Sequence, residues 1–257
     1  MANKFIPRLF VDKEELDIGT TISMDKNTSH YLRTVMRLDL HKMIYLFNNI
    51  SGEFEATIIE LGKNGVKFTV GDRIRYPKDS LPLRLLCAPI SKDRFRFMLE
   101  KATELGVNRF SPVLTDHTNA PKVHVPKSLM HIKEAVQQSE RLDIPEMDQP
   151  EKLGKVLKHW DKNVPLLYCT ESGEGDNITD VLEDLEGKEI AVLVGPEGGF
   201  SLDEHEFLQT KSYVKPVTVG PRIMRAETAT IAVLSVVQAL IGDWNERLND
   251  EIVEEEV

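Results

Sequence analysis

Two glycine-proline loops set the tightest limit on the fold of this chain: Gly195-Pro196-Glu197-Gly198-Gly199-Phe200 and Gly220-Pro221-Arg222-Ile223-Met224-Arg225-Ala226-Glu227-Thr228-Ala229. Each follows an apolar strand-like run and leads into a helix, so the chain makes the same strand-loop-helix step twice. Glycine there lets the backbone take φ > 0 or come close to a ligand, and the helix that follows presents free N–H groups. Gly195, Gly198 and Gly199 lack the spacing of a dinucleotide fingerprint, and no Lys-Ser/Thr pair follows to make a P-loop. The loops therefore argue against a pocket that cradles phosphates.

The same alternation extends upstream. Strands are expected at Leu83 to Ala88, Phe110 to Leu114, Pro165 to Tyr168, Glu189 to Val194 and Val214 to Val219. Helices are expected over Asp93 to Leu105, Lys127 to Glu140, Ile178 to Leu185 and Glu227 to Trp244, and Ser201 with Glu204 forms a capping box that starts one more. Alternating strands and helices imply α/β architecture with a mainly parallel, covered sheet. The last helix is apolar on nearly every side, from Ile231 to Ile241, which predicts burial on several faces and contact with another subunit.

The first part of the chain has another rhythm. Short strands at Arg8 to Val11, Met43 to Phe47, Glu53 to Leu61 and Val66 to Val70 are punctuated by Asn48, Asn49, Gly52 and Lys63-Asn64-Gly65, the pattern of a small antiparallel barrel. One helical piece, Asn27 to Leu38, carries His30, Arg33 and Arg37 at spacings that put them on one face. That row reads either as a solvated face or as a phosphate-contacting ridge. The expected domains are 1–75, a linker at 76–80, a second domain over 81–245, and an acidic, disordered tail at 246–257.

Charge and cysteine usage narrow the function. Over 257 residues the formal net charge is −10, which speaks against a strongly basic nucleic-acid groove. The excess is local: residues 1–75 hold eleven Lys/Arg and ten Asp/Glu, 76–140 hold ten and seven, and 141–257 hold eleven and twenty-five. A basic face on the first 140 residues remains open. Cys87 and Cys169 lie far apart in apolar runs, and buried free thiols are expected rather than a disulfide or a metal pair. The most apolar stretch, Ile231 to Gly242, is shorter than the roughly twenty residues of a membrane span, and Met1 to Asp17 lacks an apolar signal core. A cytoplasmic location is expected, with no membrane and no metal.

Further motifs accompany the loops: Pro7-Arg8-Leu9-Phe10-Val11, the run His30 to Arg37, Ser91-Lys92-Asp93, Lys101 to Val107, Gln138-Ser139-Glu140-Arg141 and Gln238. Together they resemble the bacterial 16S ribosomal RNA (uracil-N3)-methyltransferases, which belong to the knotted SPOUT superfamily. The chain departs from that pattern at Gln137, Ala226 and Thr230, where Glu, Thr and Pro are common. The resemblance implies a PUA-like N-terminal RNA-binding barrel, a C-terminal α/β domain with a trefoil knot, a homodimer, and S-adenosyl-L-methionine as methyl donor. It implies uridine N3 of 16S rRNA as target, and the acidic total favours the assembled 30S subunit over naked RNA. A knotted enzyme acting on another RNA or on a ribose 2′-hydroxyl, and a non-catalytic RNA-binding relative, stay open as alternatives.

The resemblance puts the donor between the two loops. Its expected contacts are Leu193, Gly195, Pro196, Glu197, Gly198 and Gly199 from the first, and Val219, Gly220, Pro221, Ile223, Met224, Thr228 and Ala229 from the second. Methylation at N3 requires loss of a proton and stabilisation of charge on O2 and O4, for which a preorganised cation is suited. Arg225 is the expected cation; the competing reading makes it an ion-pair partner of Glu227. Glu227, Glu197 or water could take the proton. RNA contact is expected from Arg8, His30, Arg33, Arg37, Arg94, Gln138, Ser139 and Arg141, with Arg96 extending the basic surface; for His30 a structural role is an equal alternative.

Overall fold

The computed structural model describes residues 6–12, 15–77, 81–119, 122–170 and 175–244. The expected tail and part of the expected linker lie outside them. Two compact units are present, and the division is not collinear with the chain: Val136–Asp143 groups with the described residues up to 77, while 81 to Ala135 and Ile144 to 244 form the other unit.

The first unit begins with β1 (Arg8–Phe10), β2 (Thr21–Met24) and the short helix α1 (Lys26–His30). Asp25 caps α1, its carboxylate accepting the Thr28 N–H at 2.9 Å. A π-helical turn follows over Tyr31–Val35, closed by the Met36 N–H on Tyr31 O at 3.1 Å. Arg37 lies beyond it at φ +53°. The expected single face of His30, Arg33 and Arg37 is therefore not formed, because the wider π turn changes the angular step and Arg37 has left the helix. Strands β3 (Met43–Asn48), β4 (Gly52–Leu61) and β5 (Val66–Arg75) complete the sheet, in the order β1-β3-β4-β5-β2. It curls around Leu32, Ile44, Leu46, Phe54, Ile58 and Phe68, all nearly inaccessible to solvent.

The sheet is not wholly antiparallel as expected: β1 pairs with β3 in parallel, Arg8 opposite Tyr45. More than thirty residues separate the two strands, long enough to bring the chain back in the same direction. Those residues include β2, which the sequence reading missed.

In the second unit the elements run β6 (Leu83–Cys87), α2 (Lys92–Glu104), β7 (Arg109–Leu114), α3 (Val125–Gln138), β8 (Glu146–Met147), β9 (Glu151–Lys152), α4 (Leu153–Lys158), β10 (Leu166–Cys169), β11 (Asp176–Asn177), α5 (Ile178–Leu182), β12 (Ile190–Val194), α6 (Leu202–Gln209), β13 (Val214–Thr218) and α7 (Ala226–Leu240). The last three residues of α3 fall in the first unit's grouping. The main sheet has the order β11-β13-β10-β12-β6-β7-β8, with β9 also on β7, and every pairing in it is parallel. All five β12 residues are buried, as a strand covered on both faces requires. One face packs Leu193 and Leu166 against Leu153 and Leu157 of α4 and Leu208 of α6. Helix α7 contacts β12, α2 and α5.

Helix α7 ends at Leu240, short of the expected Trp244. Gln238 explains the stop: its Oε1 accepts the Asp243 N–H at 3.0 Å, and its Nε2 donates to Leu105 O, at the end of α2, at 2.8 Å. One amide thus serves two helix C-termini. A Cβ on Gly106 or Gly242 would lie 2.2 or 1.9 Å from that amide, so only glycine leaves room for it.

Candidate functional site

β12 and β13 flank β10, and the two glycine loops leave their C-terminal ends on either side of it. That edge is where a parallel sheet opens a crevice. A pocket of about 270 Å³ lies between the loops. Of the residues expected to hold a donor, Gly195, Val219, Gly220, Pro221, Ile223, Met224 and Ala229 line it. Leu193 is fully buried in the sheet, Pro196 is buried beneath the loop, and Glu197, Gly198, Gly199 and Thr228 lie outside the lining.

The glycines serve different ends. Gly220 takes φ +107°, which a side chain would strain, and a Cβ there would meet nothing within 4 Å. At Gly195 the limit is contact: a Cβ would lie 2.6 Å from Cε2 of Phe200. Phe200 packs edge-on against Tyr168, ring centroids 5.0 Å apart, and so anchors the first loop to β10. His117 holds the same loop from outside, its Nδ1 2.8 Å from Gly198 O. Ile223 is 83% exposed, an apolar side chain at the pocket mouth.

The sequence reading did not name eight of the lining residues as donor contacts: Cys169, Thr170, Val194, Phe200, Val217, Thr218, Arg222 and Ala226. The signal for Cys169 and Thr170 was topological: Cys169 ends β10, between the two loop-bearing strands. Burial pushes the Cys169 thiol up to about 12, so it is a neutral wall rather than a nucleophile. Cys87, wholly buried, is pushed up to about 12 by the same cause. With apolar walls, the Thr170 hydroxyl and open backbone at Gly220, the pocket fits an adenosyl group. Arg222 is the sole Lys or Arg in its lining.

Beside the pocket stands a charged cluster. Arg94, on α2, places Nη1 3.3 Å from Glu197 Oε1 and Nε 3.6 Å from Glu227 Oε1. It thereby links the first loop to the opening turn of α7. The ion pair envisaged between Arg225 and Glu227 is not formed. Arg225 is the N-cap of α7, exposed, without a side-chain capping bond. Its backbone carbonyl instead accepts the Ala229 N–H at 2.8 Å. Glu227 keeps Oε2 buried with no hydrogen-bond partner, on a side chain only 12% exposed. An unpaired buried acceptor is costly and marks a place for a donor to arrive.

The other residues expected at RNA fall into two groups. His30, Arg33, Arg37 and Gln138 are exposed. Arg8 is not: its guanidinium is buried against Glu53, lies 4.4 Å over the Phe47 ring, and donates to Gln137 O and Arg141 O at 3.3 and 3.2 Å. Burial makes it a tie within the first unit rather than an open surface for phosphate. Arg141 Nε donates to Asp143 Oδ1 at 3.0 Å, and Ser139 Oγ is buried without a partner.

Two family models match the chain. An RNA methyltransferase domain model matches residues 77–238, and an RNA methyltransferase PUA domain model matches 25–71. The chain belongs to the RNA methyltransferase family. Within it, the chain is similar to ribosomal RNA small subunit methyltransferase E of Rickettsia conorii, 33% identical over 82% of this chain and 86% of the relative. The protein of the same name from Buchnera aphidicola subsp. Schizaphis graminum is 30% identical over 93% and 98%. A solved structure of the Neisseria gonorrhoeae member, bound to S-adenosyl methionine, superposes with a TM-score of 0.83 at 25% identity, covering 93% of this chain and all of that one. The α/β unit with its parallel sheet and the separate curled sheet are the architecture of this family.

Proposed function

We propose that this chain transfers a methyl group from S-adenosyl-L-methionine to N3 of a uridine in 16S rRNA of the 30S subunit, in the cytoplasm and as a homodimer. The carrying observation is that both glycine loops wall one pocket, whose edge meets the opening turn of α7 where Glu227 holds its unpaired oxygen. The donor-bound relative supports the ligand, and the names of the relatives support the RNA. The division into an RNA-binding sheet, a catalytic α/β domain with a trefoil knot, and an acidic tail belongs to the same proposal.

The donor, when bound, supplies an electrophilic methyl on a sulfonium. Walls from Val219, Met224 and Ala229 hold its apolar parts, and the bare backbone at Gly195 and Gly220 admits close polar contacts. Glu227 accepts the N3 proton on Oε2, leaving the N3 lone pair to form the new bond. Arg94 orients that carboxylate. Arg225, free to reach outward from the N-cap, stabilises the charge that develops on the uracil oxygens. Substrate RNA is met by His30, Arg33, Arg37 and Gln138 on exposed positions. The homodimer is supported by apolar side chains left in the open on the α/β unit: Phe97 on α2, Leu240 on α7 and Trp244 just past it are 43, 47 and 54% exposed.

Undermethylated 30S subunits, incubated with protein and donor, should gain one base methyl located by mass spectrometry at a uridine N3. A methyl on ribose, or donor binding without transfer, defeats the proposal. Arg225→Ala should slow transfer by roughly 10²–10³-fold with donor affinity kept; an unchanged rate removes Arg225 from the chemistry.

A further inference from the structure

A second cavity, of about 260 Å³, lies in the α/β unit at the first turns of α2 and α3. None of its lining residues belongs to the donor pocket. Its walls combine two chemistries. Ile90, Phe95 and Leu99 give an apolar floor. Around the mouth stand Lys92, Lys122 and Lys127, all exposed, with no ion pair to their ammonium groups among the described residues. Arg96 is engaged by Glu100 at 2.6 Å, and Asp93 is the one carboxylate in the lining.

Three exposed lysines without ion partners around an apolar floor make a locally positive rim on a chain of net charge −10, the electrostatic footprint of an anionic partner. His131 lines the cavity with Nδ1 buried and lacking a hydrogen-bond partner; Glu134 Oε2 at 3.6 Å is beyond bonding reach. A polyanion with flat, partly apolar units suits a positive rim over an apolar floor. Single-stranded RNA is such a molecule, with phosphates for the lysines and a base for the floor.

We infer that this cavity binds one nucleotide of the RNA substrate, its base against Phe95 and Leu99 and its flanking phosphates on Lys122 and Lys127. The site is a nucleotide-holding pocket additional to the methyl-transfer site. It rests on the proposed RNA substrate but not on the chemistry assigned to Glu227 or Arg225.

The test is binding of a short, labelled oligouridylate to the full chain at stepped salt concentrations, for wild type and for the Lys122→Glu/Lys127→Glu double variant. Loss of two phosphate contacts should weaken binding tenfold or more and flatten the log–log salt slope by about 1.4, at roughly 0.7 per phosphate on a single strand. Donor binding and thermal melting should be unchanged, because both lysines are exposed and unpaired. Uridine monophosphate should displace the oligonucleotide better than inorganic phosphate does. An unaltered affinity and slope in the variant overturns the site, and equal displacement by inorganic phosphate overturns the seat for the base. Wild-type protein that binds the oligonucleotide through these lysines yet methylates nothing would sink the proposed function and leave this inference standing.

Discussion

Two glutamates, Glu53 buried in the first unit and Glu227 only 12% exposed at its side chain in the other, differ in how far their oxygens are satisfied. Glu53 lies on β4 with both oxygens engaged, Oε1 by Arg8 and Oε2 by Arg75 at 2.7 Å. Those arginines carry on to the carbonyls of Gln137, Glu140 and Arg141, so the network ties a distant segment of chain to the curled sheet. Desolvation lowers the Arg8 pKa and Glu53 opposes it, leaving a pair that survives burial because each charge has the other. Glu227 on α7 has one arginine at 3.6 Å and a buried oxygen with nothing. A satisfied network fixes structure; an unsatisfied one keeps capacity for a ligand at a cost in stability.

The contrast breaks most readily at Glu53. Glu53→Ala strands Arg8 in the interior and should destabilise the protein by about 3–5 kcal/mol in denaturant unfolding; a loss under 1 kcal/mol would mean that the network holds nothing. Glu227→Gln should behave in the opposite way. Methyl transfer should fall about 10²–10⁴-fold, as expected for a lost general base, while stability stays level or rises. Equal damage to stability and rate would make Glu227 structural too.

Smaller effects sharpen the picture of the loops and the sheet edge. Gly195→Ala drives a methyl into the Phe200 ring and should cost about 1–3 kcal/mol while weakening donor affinity, read by calorimetry. Unaltered affinity would show that the first loop repacks freely. The least effect is expected at Asp148. Desolvation raises its pKa, but hydrogen bonds from Arg109 and Ser111 and the charges of Arg109 and Arg84 outweigh it and hold the group below the ordinary carboxylate value. Its contribution is thus fully present above the unfolded pKa and lost as pH falls through the folded one. Acid titration of stability should be shallower in Asp148→Asn than in wild type, and matching profiles would dismiss the group.

Much of the α/β unit was legible because its signals are local. Apolar runs of four to six residues, the Ser201–Glu204 capping box and the periodic face of α2 each lie within one element, and the box forms as expected, with Glu204 N–H on Ser201 Oγ at 3.2 Å. The two-residue strands β8, β9 and β11 escaped notice because they exist only through partners far along the chain. The π turn after α1 was equally silent, because the same residues satisfy an α pattern. In the candidate site, half of the residues named for the loops do line one pocket. Arg94 was read as an RNA contact because its partner Glu227 lies 133 positions away, beyond any spacing rule.

The sequence by itself determined the two strand-loop-helix steps, the parallel α/β class, the lack of dinucleotide and P-loop spacing in the loops, and the motifs that mark the family. These depend on hydrophobic period, glycine placement and capping, which act over a few residues. Tertiary structure alone decided that β10 stands between the loops and adds Cys169 and Thr170 to their pocket, that Arg8 is buried with Glu53, and that Arg94 rather than Arg225 meets Glu227. Burial and charge pairing are properties of neighbours in space, and a linear chain does not state which neighbours it will have.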